Sequence, residues 1–346
     1  MIGALELGFI YGVMALGVYL TFRVLNFPDL TVDGSFTTGA ATAAALITSG
    51  QSPVLATLAG GGAGLLAGAF TGVLHTKGKI DGLLAGILTM IALWSINLRI
   101  MDKANLPLLR EQTLISPLRD GGYLGHGVVG IAIFAGVGIV LAVIVTWFLR
   151  TDLGLAIQAT GNNGQMIRSF GVNTDRTSIL TLALSNMLVA LCGAIVAQYQ
   201  GYADISMGIG LILIGLASVI LGQAVFGQRT ILIAALAVVA GAALYRIIIF
   251  LALEVGLNPN DMKLVTALLV IAALLLPRWG FLKRLPALRS RGGRVVFAGP
   301  GSPAPDGPGT DAVTGPKTGS ATGSGTGSAT DSDARTSHVA ATDSKH

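Results

Sequence analysis

The chain has 346 residues, 52% of them hydrophobic and only 11% charged, with a formal net charge of +5 and a mean hydropathy of +0.73. Soluble domains carry about 25% charged residues, so composition excludes an ordinary soluble globule for most of the length. In such a chain an excess of Lys and Arg reports membrane topology before it reports nucleic acid, and no nucleic-acid partner is expected.

Apolar runs near 2–22, 33–50, 53–74, 81–99, 127–149, 178–200, 210–226, 230–253 and 262–276 each read as a span, because ~20 helical residues cross a ~30 Å hydrocarbon core. The expected fold is all-α, a polytopic helical membrane protein of about nine spans in the lipid bilayer. No basic region with a small-residue cleavage site precedes the first run, so a cleaved signal peptide is not expected. The alternation of a membrane β-barrel is missing as well.

The first span carries Gly8 and Gly12 one turn apart, and the third places Gly60, Gly64, Gly68 and Gly72 at four-residue intervals. Such stripes let a neighbouring backbone approach closely. Between the first two spans lies "NFPDLTVDGSF" (26–36), which sets Pro28, Asp29 and Asp33 in a region that otherwise reads as membrane. Proline interrupts the backbone ladder, and aspartate prefers a cap to a helix interior. Asp29 or Thr31 is therefore expected to cap a helix beginning near Asp33.

Lys77 and Lys79, the loop with Arg150, Arg168 and Arg176, and the cluster Arg278, Lys283, Arg284, Arg289, Arg291 and Arg294 all fall on one side of this arrangement. The positive-inside rule makes that side cytoplasmic. The N-terminus is then outside and the C-terminus inside, in the cell membrane. Segments 100–126 and 254–261 lie outside; the first fits least well, because Lys103, Arg110 and Arg119 are balanced only by Asp102, Glu111 and Asp120.

The loop "RTDLGLAIQATGNNGQMIRSFGVNTDR" (150–176) is amphipathic. Asn162 or Asn163 can cap a short helix through "GQMIRSF", and Gly171 can stop it. That helix presents Met166, Ile167 and Phe170, an apolar edge suited to a partner's groove. Cys192, the single cysteine, lies in an apolar run and reads as a small packing residue that forms no internal disulfide. His75, His126, His338 and His346 show no metal-ligand spacing and read as loop or tail residues.

After the sixth span, "YADISMGI" (202–209) aligns with "FPDLTVDG" (27–34): Asp204 meets Asp29 and Ser206 meets Thr31. An odd number of spans separates the copies, which is the trace of an inverted repeat. Asp204 or Ser206 is expected to cap the second copy's helix. Irregular backbone at membrane depth is tolerated where it is buried in protein or lines a wet cavity, so Asp29, Thr31, Asp33, Asp204 and Ser206 are placed beside a translocation path. Arg246 is expected to pair with Glu6 or to meet a solute carboxylate on that path. From about Gly299 the Gly/Ser/Thr/Ala-rich composition predicts a disordered tail, giving a permease region over 1–285 and a basic segment plus tail over 286–346.

Five stretches carry a resemblance. "TDLGLAIQATGNNGQMIRSFGVNTDR", followed by "LSNMLVALCGAIVAQYQG" and "GIGLILIGLASVILGQAVFG", resembles the permease subunits of ATP-binding-cassette importers of the branched-chain amino-acid and ribose type. "GFIYGVMALGVYLTFRVLNFPDLTVDGSF" and "GLLAGILTMIALWSINLRIMDKANLPLL" are similar to a subgroup linked with tryptophan or tyrosine uptake. The family's loop positions fall on Gly154, Gln158, Gly161, Asn163 and Gly171-Val172-Asn173. "NNGQMIR" departs from the Asn-Pro and paired alanines of the wider family.

The resemblance implies that Gly154, Gly161, Asn163, Met166, Ile167, Arg168, Phe170 and Gly171 form the element that couples to an ATPase. It also implies a P-loop ATPase subunit, an extracytoplasmic binding protein and a second permease copy or homologue as partners. The chain has no G-x-x-x-x-G-K-[ST] loop, so ATP hydrolysis is expected in another polypeptide. No catalytic, cofactor-binding or metal-ligating set is read here; the chain is expected to transport and not to catalyse. Two alternatives stand beside this reading. A secondary transporter would use Asp29, Asp33 and Asp204 as ion ligands, and a membrane scaffold would transport nothing.

Overall fold

The structure, a computed structural model, describes residues 1–123, 128–254 and 262–275. Its helices are α1 (Ile2–Val18, continuing as a π-helical turn over Tyr19–Val24), α2 (Thr31–Thr48), α3 (Pro53–Thr76), α4 (Gly82–Met101), α5 (Ser116–Asp120), α6 (Val128–Leu149), α7 (Asp152–Ser169), α8 (Thr174–Gln200), α9 (Leu211–Phe226), α10 (Ile231–Glu254) and α11 (Met262–Leu275). A two-stranded antiparallel ribbon joins β1 (Asn105–Pro107) to β2 (Tyr202–Asp204), pairing Asn105 with Asp204 and Pro107 with Tyr202. The chain is thus a polytopic helical membrane protein, and each apolar run predicted as a span is helical. Among the described residues six helices are long and apolar enough to cross a bilayer: the α1 unit, α3, α4, α6, α8 and α10; α9 is apolar but shorter. The basic cluster after residue 277, the tail, His126, His338 and His346 lie outside the described residues.

Helix association in lipid rests on close van der Waals packing, since the tails are as apolar as leucine. The α3 stripe shows what glycine supplies. A Cβ on Gly64 would stand 2.4 Å from the Asn186 carbonyl oxygen, one on Gly68 2.2 Å from that of Leu182, and one on Gly72 2.8 Å from Ile179 Cα. The stripe therefore seats α3 directly on the α8 backbone. Gly8 and Gly12 do the same for α1 against Ala243 and Val239 of α10. The face of α3 away from this seam, with Leu55, Leu58, Leu66 and Phe70, is exposed, as a lipid-facing surface is.

The inverted repeat is visible in the contacts. A shift of 175 residues carries Phe27 onto Tyr202, Ile10 onto Ser185 and Gly17 onto Cys192. Ser185 Oγ donates to the Gly17 carbonyl at 2.7 Å, and Cys192 Sγ donates to the Ile10 carbonyl at 3.2 Å. Under the shift the residue pairs 10–192 and 17–185 are equivalent, as a two-fold relation demands, although α8 supplies the donor in both. Residue numbers rise along α1 as they fall along α8, so the halves run in opposite directions. The same shift takes Asp33 to Gly208, and a Cβ on Gly208 would lie 2.0 Å from the Asp33 carbonyl oxygen. The two halves meet at their own equivalent positions. Cys192 is fully buried in this crossing, the packing role its surroundings predict.

Candidate functional site

Each copy of the repeated stretch opens a helix inside the bundle. After the π-helical turn, Asn26 turns the chain with φ +57°, and Phe27 packs edge-on to His75 with ring centroids 4.9 Å apart. His75 itself ends α3, where Nδ1 contacts the Ile80 carbonyl oxygen at 2.9 Å; it belongs to a helix end and not to a loop. Asp29 is buried. Its Oδ1 accepts the Thr31 N–H at 2.9 Å and its Oδ2 accepts Asn186 Nδ2 at 2.7 Å. From Thr31 the chain of bonds continues to Thr71 at 2.8 Å and on to Thr89 at 2.9 Å. The helix begins at Thr31, earlier than expected, with Leu30 at the N-cap and no side-chain cap there; Asp29 supports its first turn from one residue further out and also ties that turn to α8.

The second copy differs from expectation. Asp204 Oδ1 accepts the N–H of Ser206 at 2.8 Å and also its hydroxyl, while Oδ2 accepts Asn105 Nδ2 at 3.2 Å. Partial burial works against ionising Asp204, yet the bonds from Ser206 and Asn105 outweigh it and hold the carboxyl below its usual range. Neither Asp204 nor Ser206 caps α9. That role falls to Asp33 of the first copy: Oδ2 accepts the Gly210 N–H and Oδ1 accepts the Ile212 N–H, both at 2.8 Å. A carboxylate at a helix N-terminus satisfies orphan donors and complements the dipole. The cap comes from 177 residues away in sequence, which is why local pattern did not show it.

The expected Glu6–Arg246 pair does not form. The Tyr199 hydroxyl donates to Glu6 Oε2 at 2.7 Å, whereas the Arg246 guanidinium lies over the Tyr11 ring, 4.1 Å from its centroid. Gly8 lies against Ala243 and Arg246, and Tyr11 is one turn further along α1; stacking on that ring offsets part of the desolvation of the cation. Arg246 Nε is buried without a hydrogen-bond partner.

A small cavity of about 50 Å³ lies beside the Asp33 cap, with Thr37, Trp94 and Asn97 among its lining residues. Asn97 is 1% exposed, and its Oδ1 has no hydrogen-bond partner. Asn97, Asn186, Thr71 and Thr89 were all missed in the sequence. The signal for them is a polar side chain within an apolar run, which in a membrane is costly and so informative.

At the opposite end of the bundle from the ribbon, α7 is longer than the expected short helix. It is helical from Asp152, and breaks at Asn163, whose backbone is extended (φ −156°, ψ 91°). Asn163 Oδ1 accepts the Met166 N–H at 3.0 Å, capping the second piece. Gly171 stops it with φ +84°, as the sequence suggests. Met166 and Phe170 are exposed, and Ile167 is half-buried. Arg168 turns away from them to pair with Asp175 at 2.8 Å. The two family glycines hold the first piece in place: a Cβ on Gly154 would stand 2.2 Å from the Phe148 carbonyl oxygen, and one on Gly161 2.0 Å from that of Val24. Gln158 Nε2 donates to the Leu149 carbonyl at 2.7 Å. So α7 rests directly on the ends of α1 and α6.

Residues 1–275 match the family model described as branched-chain amino acid transport system / permease component. The chain belongs to this permease family. It is 42% identical over 265 residues to a tyrosine transport system permease protein of Clostridioides difficile (strain R20291), covering 77% of this chain and 87% of that one. A galactofuranose transporter permease protein of Escherichia coli (strain K12) is 29% identical over 267 residues, covering 76% and 75% of the two chains. A ribose import permease protein of Bacillus subtilis (strain 168) is 29% identical over 216 residues, with 62% and 65% covered. No solved structure matches the chain. The permease belongs to a family of transport subunits, and these relatives are named for unlike solutes: tyrosine, galactofuranose and ribose.

Proposed function

We propose that this permease is the membrane-spanning subunit of an ATP-driven importer of an amino acid, an aromatic one and tyrosine first. The solute follows from the 42% identical relative, whose printed name is a tyrosine transport system permease protein. The observation that carries the ATP-driven part is α7: a capped, kinked helix, exposed at Met166 and Phe170 and seated without slack on α1 and α6. Its partners are a separate P-loop ATPase at α7, an extracytoplasmic binding protein at the opposite face, and a second permease copy. The N-terminus lies outside, nine helices span the membrane, and the α7 face is cytoplasmic.

Movement at the ATPase acts on α7 and, through Gly161 against Val24, on the end of α1. The next residues are the stretch that holds Asp29 and Asp33. A push on α7 therefore reaches the point where the two halves meet, and it shifts the equilibrium only because the ATPase contacts α7 differently in its two states. Asp29, Thr31, Asp33, Asp204, Ser206 and Arg246 flank the path in this reading. Asp29, Asp33 and Asp204 each face different partners, an arrangement that favours this reading over an ion-coupled transporter.

The test is uptake of labelled tyrosine by the permease, its ATPase and its binding protein in proteoliposomes. ATP depletion is expected to lower uptake at least about tenfold, the size of a modest shift between two states, and ionophores are expected to leave it unchanged. Uptake that persists without ATP and collapses with an ionophore overturns the proposal.

A further inference from the structure

The Asp33 cap and the cavity beside it hold two features that the importer reading leaves unexplained. First, the walls come from opposite halves of the repeat. Asp33 and Thr37 stand on α2, and Trp94 and Asn97 on α4, while Ile205 and Ile209 belong to the second copy. Across this seam the Gly210 and Ile212 N–H groups donate to Asp33, beside the close approach of Gly208 to the Asp33 backbone. Second, Asn97 Oδ1 is buried without a donor. A buried acceptor left unmet is costly, so its retention calls for a donor supplied in another state.

In this state the cavity measures about 50 Å³, well below the ~300–1,000 Å³ of a ligand pocket. When the halves part, the Asp33 carboxylate and the N–H groups of Gly210 and Ile212 lose each other. The groups then exposed are one anion and one helix N-terminus, side by side. An ammonium satisfies the first, and a carboxylate satisfies the second. Trp94, Ile205 and Ile209 offer an apolar wall for a ring, and Asn97 offers an acceptor.

We propose that this cavity is the closed form of a binding site for the zwitterion of an aromatic α-amino acid whose ring carries a hydrogen-bond donor. The inference rests on the amino-acid importer reading and names the residues that would select the solute within it. The solute replaces the bond between Asp33 and α9 with two bonds of its own, so no charge is left uncompensated at any point. Asn97 then accepts from the ring hydroxyl or ring N–H.

The experiment is equilibrium dialysis of labelled tyrosine against the nucleotide-free permease–ATPase complex without binding protein. Tyrosine is expected to bind saturably. Phenylalanine, tyramine and 3-(4-hydroxyphenyl)propionate, which lack the ring donor, the carboxylate and the ammonium respectively, are each expected to compete at least about tenfold more weakly, since one lost hydrogen bond is worth about that factor. Asn97→Leu is expected to lower tyrosine affinity to that of phenylalanine and to leave phenylalanine unchanged. Absence of saturable binding, or competition by all three analogues as strong as tyrosine's own, overturns the site; the analogue series needs no variant, so a misfolded Asn97→Leu does not rescue it. Tyrosine uptake by the full wild-type complex separates the two claims. Uptake without binding to the core sinks the site alone, whereas absence of uptake sinks the amino-acid reading and the site with it.

Discussion

Replacing Gly64 and Gly68 together by alanine is expected to destabilise the protein by about 3 kcal/mol or more, the upper end of overpacking costs. The new methyl groups meet the Asn186 and Leu182 carbonyl oxygens at 2.4 and 2.2 Å. Backbone cannot turn aside as a side chain does, so α3 must lift from α8 along the seam. That movement also pulls Thr71 on α3 away from Thr31, and so strains the polar chain that begins at Asp29. Gly62→Ala on the same helix is the control. Nothing lies within 4 Å of its Cβ position, and alanine gains up to about 1 kcal/mol over glycine in a helix. Thermal unfolding of both variants in detergent checks the pair of expectations: a large loss for Gly64→Ala with Gly68→Ala, and none for Gly62→Ala. Equal behaviour would show that the stripe is not the seam.

Asp33→Ala is expected to have the other large effect, about 3–6 kcal/mol, because each of two hydrogen bonds to a charged acceptor is worth about 1.5–3 kcal/mol. It leaves the Gly210 and Ile212 N–H groups without their partner, at the start of a 16-residue helix in a low-dielectric setting. Asp33→Asn keeps one acceptor oxygen and turns an amide N–H₂ towards the other donor, so it is expected to cost about as much as losing one bond and a charge. Hydrogen exchange read at residues 210–213 localises the result. Faster exchange there in Asp33→Ala, with the amides of α3 and α6 unchanged, is the expected pattern; uniform exchange across the chain would assign Asp33 a global role instead.

Run length located the helices of the nine apolar runs, though not α5 or the full length of α7, because a bilayer imposes a length that the sequence must meet. The Gly60–Gly72 stripe, the Asn163 cap and the Gly171 stop were legible for a similar reason: each depends on neighbours within a turn or two. Misreadings arose where the partner lies far along the chain. Asp33 caps α9 across 177 residues, and Arg246 meets the Tyr11 ring rather than Glu6. A search for opposite charges finds neither. The repeat was legible as a short alignment, but its physical content came from α1 and α8, where Ile10–Cys192 and Gly17–Ser185 turn out to be equivalent contacts. Asn97 was hidden for a simpler reason. One polar residue in "LWSINLRI" does not stand out until its burial is known.

The central claim is that α7 is where an ATPase engages this permease. Gentle affinity purification of the tagged protein from its native membranes tests it most directly, beside a variant carrying Met166→Asp and Phe170→Asp. Both side chains are exposed, at 57% and 70%, so the variant is expected to fold and to place charges only on the docking edge. The account predicts that a P-loop ATPase accompanies the native protein and is lost from the variant. A native protein that comes down alone while its membranes still take up tyrosine, or an ATPase retained equally by both, would contradict it.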